Sequence, residues 1–165
     1  MAKEIIKEIT IKDYVLSPVE KIKISYKGPK PLAILKQSEM IMKVGADVAS
    51  SGLFTTLFKY DALDGGFYTH IHAKRDYDKF TKVFLYTDYD GKENLETHEG
   101  TINIKIYGIL ETTFPYANSF QKTLWWMYYR TFYKTYRNRC RIASEKFIYK
   151  LRDTFKNMSG MEELK

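Results

Sequence analysis

The sequence predicts an α+β fold in which a curved antiparallel sheet packs against a long C-terminal helix. Residues 102–110 alternate apolar and polar side chains, as a strand with one buried face does. Two glycine-containing turn signals, Asp64-Gly65-Gly66 and Asp90-Gly91, divide the middle of the chain into short strands. Residues 118–157 form one continuous helical pattern that holds 11 of the 26 aromatic residues.

Length and composition predict the class of protein. The chain has 165 residues, 44% of them hydrophobic, which predicts one domain over residues 1–165. The single cysteine, Cys140, cannot form an intramolecular disulfide, and the N-terminus has no signal-peptide pattern, so we expect a cytoplasmic protein. No apolar run reaches the roughly 18 residues that a membrane-spanning helix needs.

The first third of the chain predicts an arm, a strand and a short helix. Residues 1–18 mix apolar side chains with charges and are expected to form an extra edge strand or an arm. Residues 22–26 alternate apolar and polar side chains, and Gly28-Pro29 ends this first core strand. Pro31 suits the first turn of a helix, and residues 32–44 have an amphipathic pattern.

The middle of the chain predicts an antiparallel meander. Residues 53–61 and 67–74 are strand-like and flank the Asp64-Gly65-Gly66 turn. Residues 81–89 form the next predicted strand, which we expect to end at Asp90-Gly91.

The C-terminal helix has two predicted faces. Asn118 or Ser119 is the expected N-cap. At 100° per residue, one apolar stripe is expected to be buried: Trp125, Tyr129, Phe132, Tyr136, Cys140, Ala143, Phe147, Leu151 and Met158. The segment holds ten Lys or Arg against two acids, and most of these cations fall opposite the stripe, where we expect them to be solvated.

The length of this helix predicts an irregularity or an overhang. Forty helical residues span about 60 Å, whereas a domain of this size is roughly 40 Å across. We therefore expect the helix to break near Asn138 or Ser144, or to project and contact a partner, including a second copy in a homodimer. Residues 158–165 are expected to form a flexible tail.

The order of elements resembles the helix-grip arrangement of START-like, or polyketide cyclase and Bet v 1-like, proteins. The resemblance covers residues 19–157 and rests on element order, without a sequence motif. It implies an apolar cavity between sheet and long helix that binds a hydrophobic or amphipathic small molecule without covalent chemistry. The ligand-binding residues expected there are Trp125, Tyr129, Phe132, Tyr136, Phe147, Ile104 and Ile106. The sequence indicates no catalytic residue and no cofactor.

The basic face of the same helix supports an alternative function. Arg130, Lys134, Arg137 and Arg141 form an acid-free ridge beside Trp126. Such a ridge is suited to nucleic acid or to an anionic membrane surface, because cations neutralise phosphates and aromatic rings can stack on bases.

The three histidines do not predict a metal site. His70 and His72 are two residues apart in a predicted strand and so face the same side. With His98 they could in principle complete a set of three ligands. The simpler interpretation, which we adopt, is a polar outer face of the sheet.

Overall fold

The computed structural model describes residues 6–159 and 162–164. The strands in this part of the chain are β1 (Lys7–Tyr14), β2 (Ile22–Pro29), β3 (Leu53–Tyr60), β4 (Gly66–Asp76), β5 (Thr81–Glu93), β6 (Glu99–Tyr116) and β7 (Glu162–Leu164). The helices are α1 (Pro31–Ala46), α2 (Ser119–Tyr128) and α3 (Lys134–Ser159). A π-helical segment, Tyr129–Tyr133, joins α2 to α3 into one long helix.

The strands form one antiparallel sheet in the order β3-β4-β5-β6-β2-β7. Strand β6 is 18 residues long and organises the sheet. Along one edge it pairs with β5, and along the other it pairs first with β2 and then with β1. The predicted α+β class is confirmed: a curved antiparallel sheet, one short helix after the first core strands, and a long C-terminal helix. This arrangement is compatible with a helix-grip fold.

The inner face of the sheet is buried by α1 and α3. Ile102, Ile104, Ile106 and Leu110 of β6 have no exposed surface, whereas the intervening residues face outward and are half-buried. This alternation was predicted, and it follows from the two-residue period of a strand. Buried residues of α3, including Ile148, Leu151 and Phe155, complete the main core.

Helix α1 is held against both the sheet and α3. The Leu32 N–H donates to the Glu93 carboxylate at 3.0 Å, which satisfies one of the unpaired donors of the first helical turn. Glu93 is also hydrogen-bonded to His98 Nδ1 at 3.0 Å. Burial alone would raise the pKa of Glu93, but these two hydrogen bonds hold it below its usual value. At the other end of the helix, the absence of a side chain at Gly45 lets Leu151 pack directly on the backbone.

One of the two predicted turns is correct. The β3–β4 hairpin turns at Gly65, whose φ of 72° lies in the left-handed region that glycine adopts without strain. The prediction that the next strand ends at Asp90-Gly91 is wrong, because β5 continues to Glu93. Gly91 is needed there for space, since the Phe67 ring and the Thr101 carbonyl occupy the volume that a side chain would fill.

The long helix begins as predicted but is irregular elsewhere. The Asn118 side chain accepts a hydrogen bond from the Gln121 N–H at 2.9 Å and so caps α2. The expected break near Asn138 or Ser144 is wrong, because α3 runs unbroken through both residues. The irregularity lies at the π segment, where the Lys134 N–H donates a hydrogen bond to the carbonyl of Tyr129, five residues earlier in the chain.

The π segment changes which side chains are buried. A regular helix would place Tyr129, Phe132 and Tyr136 on one face, but the extra residue in this turn rotates Tyr133 and Arg137 into that position. Both are buried, whereas Phe132 is 68% exposed and Tyr136 is 37% exposed. The predicted stripe is therefore wrong at Phe132 and Tyr136. It is correct at Cys140 and Leu151, which are buried.

The two ends of the chain contribute strands. Strand β1 pairs with β6, as an edge strand from residues 1–18 would. Residues 162–164, which belong to the predicted tail, form β7 and pair with β2. The parts of these two predictions that fall on residues 1–5, 160, 161 and 165 lie outside the described residues. Among the described helices, none is both long enough and apolar enough to cross a membrane.

Candidate functional site

An apolar cleft lies between α1 and the β3–β4 edge of the sheet. Its volume is about 400 Å³. Residues of one helix and two strands line it: Leu32, Leu35, Lys36, Ser38, Glu39, Thr55, Phe58, Tyr60, Thr69 and Ile71. This size lies in the range of about 300–1,000 Å³ that is typical of small-molecule sites.

The sequence forms this cleft because β3 is an edge strand with apolar side chains on both faces. Phe58 and Tyr60 are exposed at its mouth, and the residues of β3 are largely uncovered. Strand β4 supplies the floor, where Thr69 and Ile71 are buried on the inner face. Helix α1 leaves a gap against these strands, since the start of the helix is fixed by Glu93 and its end by α3.

Polar groups are few inside the cleft. The Thr69 hydroxyl is buried and has no hydrogen-bond partner among the described residues. The Ser38 hydroxyl already donates to the Leu35 carbonyl at 2.5 Å. A buried polar atom without a partner is costly, so the Thr69 hydroxyl is the polar group of the lining whose hydrogen-bonding capacity is unused.

The rim of the cleft carries two opposite charges. The Thr55 hydroxyl donates to the Glu39 carboxylate at 2.7 Å, which holds that acid at the edge of the opening. Lys36 lines the same side of the cleft and provides a cation. The cleft thus combines an apolar interior with a charged entrance.

A second buried hydroxyl lies next to Thr69 in the sheet. Tyr89 is opposite Thr69 in the β4–β5 register, is fully buried, and has no partner for its hydroxyl among the described residues. Burial raises the pKa of Tyr89 far above its usual value, so the phenol stays neutral. Its ring packs edge to face on Phe155 of α3, with centroids 6.0 Å apart.

None of the seven residues predicted to bind a ligand lines this cleft. Ile104 and Ile106 are fully buried in the main core. Phe147 lies under Arg75, whose guanidinium carbon is 4.6 Å from the ring centroid. Trp125 and Tyr129 pack on a second, smaller core cluster.

That second cluster surrounds Phe114, near the end of β6. The Trp125 ring stacks on Phe114 with centroids 4.8 Å apart, and the Trp125 indole N–H donates to the Pro115 carbonyl at 2.7 Å. Of the remaining two predicted residues, Phe132 faces solvent, and Tyr136 is partly exposed with its ring 5.3 Å from that of Tyr133. The structure therefore brings the predicted set to three different places.

The predicted basic ridge is interrupted. The expectation that Arg137 is solvated is wrong, because Arg137 is only 5% exposed. Its guanidinium forms an ion pair with Asp13 and donates to the Thr112 hydroxyl at 2.9 Å and the Leu110 carbonyl at 3.1 Å. Arg141 is half-buried and donates to the Val15 carbonyl at 3.1 Å. Trp126, Arg130 and Lys134 remain exposed.

His70 and His72 lie on the outer face of the sheet, as their spacing predicts. His70 bonds Asp88, and the His72 ring stacks on Phe54 with centroids 5.1 Å apart. Burial, and then the neighbouring His70, lower the pKa of His72. His98 is in a separate connection beside Glu93. In the described part of the chain, no group of three or more His, Cys, Asp or Glu residues is placed to hold a metal ion.

A buried polar cluster fixes the π segment to the sheet. The Tyr133 hydroxyl donates to the Asp78 carboxylate at 2.6 Å and lies 2.8 Å from the Thr81 hydroxyl. The backbone N–H groups of Phe80 and Thr81 each donate to the same carboxylate at 2.7 Å. Burial would raise the pKa of Asp78, but these hydrogen bonds together hold it below its usual value.

The Asp78 carboxylate should make stability depend on pH. Because its folded pKa lies below the unfolded value of about 3.9, the stability it contributes is present at neutral pH and is lost as the pH falls below about 4. We expect Asp78→Asn to be less stable than the wild type at pH 7 and to lose less further stability on acidification. Urea unfolding at neutral and acidic pH measures this difference. Glu20→Gln replaces an exposed acid and should lose as much stability on acidification as the wild type does.

Comparisons with known proteins return no match. No family model matches the chain, and no curated protein or solved structure is significantly similar to it.

Most of the cleft is not predictable from the sequence. Thr69 and Ile71 alternate with His70 and His72 in β4 and so face the core, and Leu32 and Leu35 belong to the amphipathic pattern of residues 32–44, but the gap between them is a tertiary feature. The available signal was β3, where Leu53, Phe54, Leu57, Phe58 and Tyr60 give an apolar strand without alternation. A strand with apolar side chains on both faces leaves part of that apolar surface uncovered when it lies at a sheet edge, as β3 does.

Proposed function

We propose that this protein binds a hydrophobic or amphipathic small molecule, without covalent chemistry, in the cleft between α1 and the β3–β4 edge. The observation that supports the proposal is an apolar cleft of about 400 Å³ with one unpaired buried hydroxyl on its floor. Ligand sites typically combine apolar walls with a small number of placed polar groups. The cleft lining contains no histidine or cysteine, and its carboxylate, Glu39, is hydrogen-bonded to Thr55.

The lining specifies the chemistry of the ligand. An apolar body fits against Leu35, Phe58 and Ile71, and a hydroxyl or carbonyl group on that body pairs with Thr69. An anionic or polar head extends to Lys36 at the rim. Membership of the START-like superfamily is part of the same proposal. It is supported by the element order and by a site between sheet and helix, although the helix at this site is α1 and the resemblance implies the long C-terminal helix.

A bulky residue at the mouth should block the cleft. Thr55 lines the opening on the exposed edge strand, so Thr55→Trp fills the entrance without changing the core. We expect this variant to bind anilinonaphthalene sulfonate, a dye that fluoresces in apolar sites, at least about tenfold more weakly than the wild type. Fluorescence titration measures the affinity.

The matched control is Lys59→Trp. Lys59 is exposed on the same strand but is not among the residues that line the cleft. Dye binding to other apolar surface is common to both variants, so the difference between them reports the cleft alone. Equal affinities in the two variants, or a wild type with no saturable dye binding, would contradict the proposal.

A further inference from the structure

The first part of the long helix also exposes large apolar side chains to solvent. Trp125 and Tyr129 cover the sheet, but Phe120 is 71% exposed and Met127 is 62% exposed. We call the exposed set the outer helix face: Phe120, Leu124, Met127, Tyr128 and Phe132. A contiguous apolar surface of this kind on a protein usually marks an interaction site.

The charges that this part of the helix contributes are of one sign. Residues 118–144 contain six Lys or Arg and no acid. Arg137 is buried with Asp13, and Arg141 is bonded to the Val15 carbonyl and lies 3.8 Å from Glu145, so neither offers a fully exposed cation. The exposed cations of the segment are Lys122, Arg130, Lys134 and Arg139.

We propose that the outer helix face docks on the surface of an anionic lipid bilayer. Aromatic and aliphatic side chains of a surface helix enter the boundary between headgroups and acyl chains, while flanking Lys and Arg attract anionic headgroups. Both features are present here on one rigid helix. This function is independent of the cleft beside α1, which lies against a different helix and edge of the sheet.

The helix is already oriented for such contact. The stack of Trp125 on Phe114 and the hydrogen bond from its indole to the Pro115 carbonyl fix α2 on the sheet, and Asn118 caps its first turn. Docking therefore does not require the segment to fold on the membrane, which removes a large part of the entropic cost of binding.

The charge pattern distinguishes the bilayer from other partners. A symmetric contact with a second copy would bring Lys122, Arg130 and Lys134 of both chains together with no carboxylate from the same segment, and like charges at an interface are costly. Nucleic acid would satisfy the cations but would leave Leu124 and Met127 against a polar backbone. An anionic bilayer satisfies both parts of the surface.

Vesicle sedimentation tests the proposal directly. Wild-type protein should sediment with vesicles of phosphatidylcholine mixed with phosphatidylglycerol and much less with phosphatidylcholine alone. Phe120→Ser/Met127→Ser should bind the anionic vesicles at least about tenfold more weakly, because two apolar anchors are lost. The matched control, Met40→Ser/Val44→Ser, removes two equally exposed apolar side chains from α1 and should bind like the wild type.

The electrostatic part is tested by charge reversal. Arg130→Glu/Lys134→Glu should lower affinity for the anionic vesicles about tenfold or more, since each cation near such a surface contributes about 1 kcal/mol. Lys21→Glu/Lys23→Glu makes the same charge change at exposed residues near and within β2 and should have a much smaller effect.

Three results would overturn the proposal. The first is wild-type protein that does not sediment with anionic vesicles. The second is Phe120→Ser/Met127→Ser protein that binds them as the wild type does. The third is a stable wild-type dimer, seen by light scattering without vesicles, that this double variant dissociates, because the face would then belong to a second copy. Thr55→Trp, which blocks the cleft, should leave vesicle binding unchanged, so the two proposals fail separately.

Discussion

Replacing Arg137 with methionine is expected to lower the free energy of unfolding by about 3 kcal/mol or more. This is a large effect for a side chain that the helical pattern predicts to be solvated. The guanidinium connects α3 to both β1 and β6. It pairs with Asp13 and donates to Thr112, to the Leu110 carbonyl and, at 3.3 Å, to the Ile11 carbonyl. Methionine fills a similar volume but donates no hydrogen bond, so the buried acceptors lose a charged donor, although the Thr112 hydroxyl keeps its hydrogen bond with Thr81.

Most of this cost should come from the backbone and Thr112, because the Asp13 side chain is about half exposed and can be hydrated after the substitution. Urea unfolding measures the effect as a lower midpoint with an unchanged slope. Arg139→Met is the matched control: it removes an exposed cation two residues away and should change stability by less than about 0.5 kcal/mol. If both variants were equally stable, Arg137 would have to be solvated, as the regular helical pattern predicts.

The error at Arg137 has a local cause that the sequence does not reveal. Counting 100° per residue from Trp125 assumes an unbroken α-helix, and residues 129–133 violate that assumption. One extra residue in this turn moves Tyr133 inward, where its hydroxyl reaches Asp78 and Thr81. These partners are about fifty residues away in sequence. The π segment is therefore determined by tertiary contacts, and the helix propensity of residues 118–157 cannot predict it.

Features set by local chemistry were predicted well. The alternation around Ile104 gives a strand with one buried face, Asn118 caps α2 by a bond within its own first turn, and Gly65 provides the positive φ of the β3–β4 turn. Asp90-Gly91 has the same local signal but does not turn, because Gly91 is required by the close approach of Phe67 across the sheet. A glycine needed for space and a glycine needed for a turn look alike in sequence.

The candidate site was missed for a related reason. The seven predicted residues were chosen because they share a helical face or oppose it. Ile104 and Ile106 do belong to the core between α3 and the sheet, but the helix contributes Ile148 and Phe155 to that core, which are not in the predicted set. The cleft arises where α1 does not cover β3 and β4, and α1 is joined to β3 by residues 47–52, which include a single turn of 3-10 helix at Ser50–Gly52. Incomplete coverage depends on the positions of whole elements, which periodicity within each element does not determine.

Replacing Phe155 with alanine is expected to lower the free energy of unfolding by about 3–5 kcal/mol. Phe155 has no exposed surface and packs edge to face on Tyr89, whose own ring is fully buried. The substitution removes a large ring from the contact between α3 and β5 and leaves a cavity that rigid neighbours can fill only in part. Thermal or urea unfolding measures the loss, and the slope in urea should not change.

Phe132→Ala is the decisive comparison, because the burial predicted for Phe132 and Phe155 from the sequence is the reverse of the burial in the structure. The helical pattern places Phe132 on the buried stripe and leaves Phe155 outside it, whereas Phe132 is 68% exposed and Phe155 is buried. We expect Phe132→Ala to change stability by less than about 0.5 kcal/mol. A larger loss in Phe132→Ala than in Phe155→Ala would mean that the helix keeps a regular register through Tyr133. The pair therefore measures the rotation that the π segment introduces, with one substitution inside the segment and one after it.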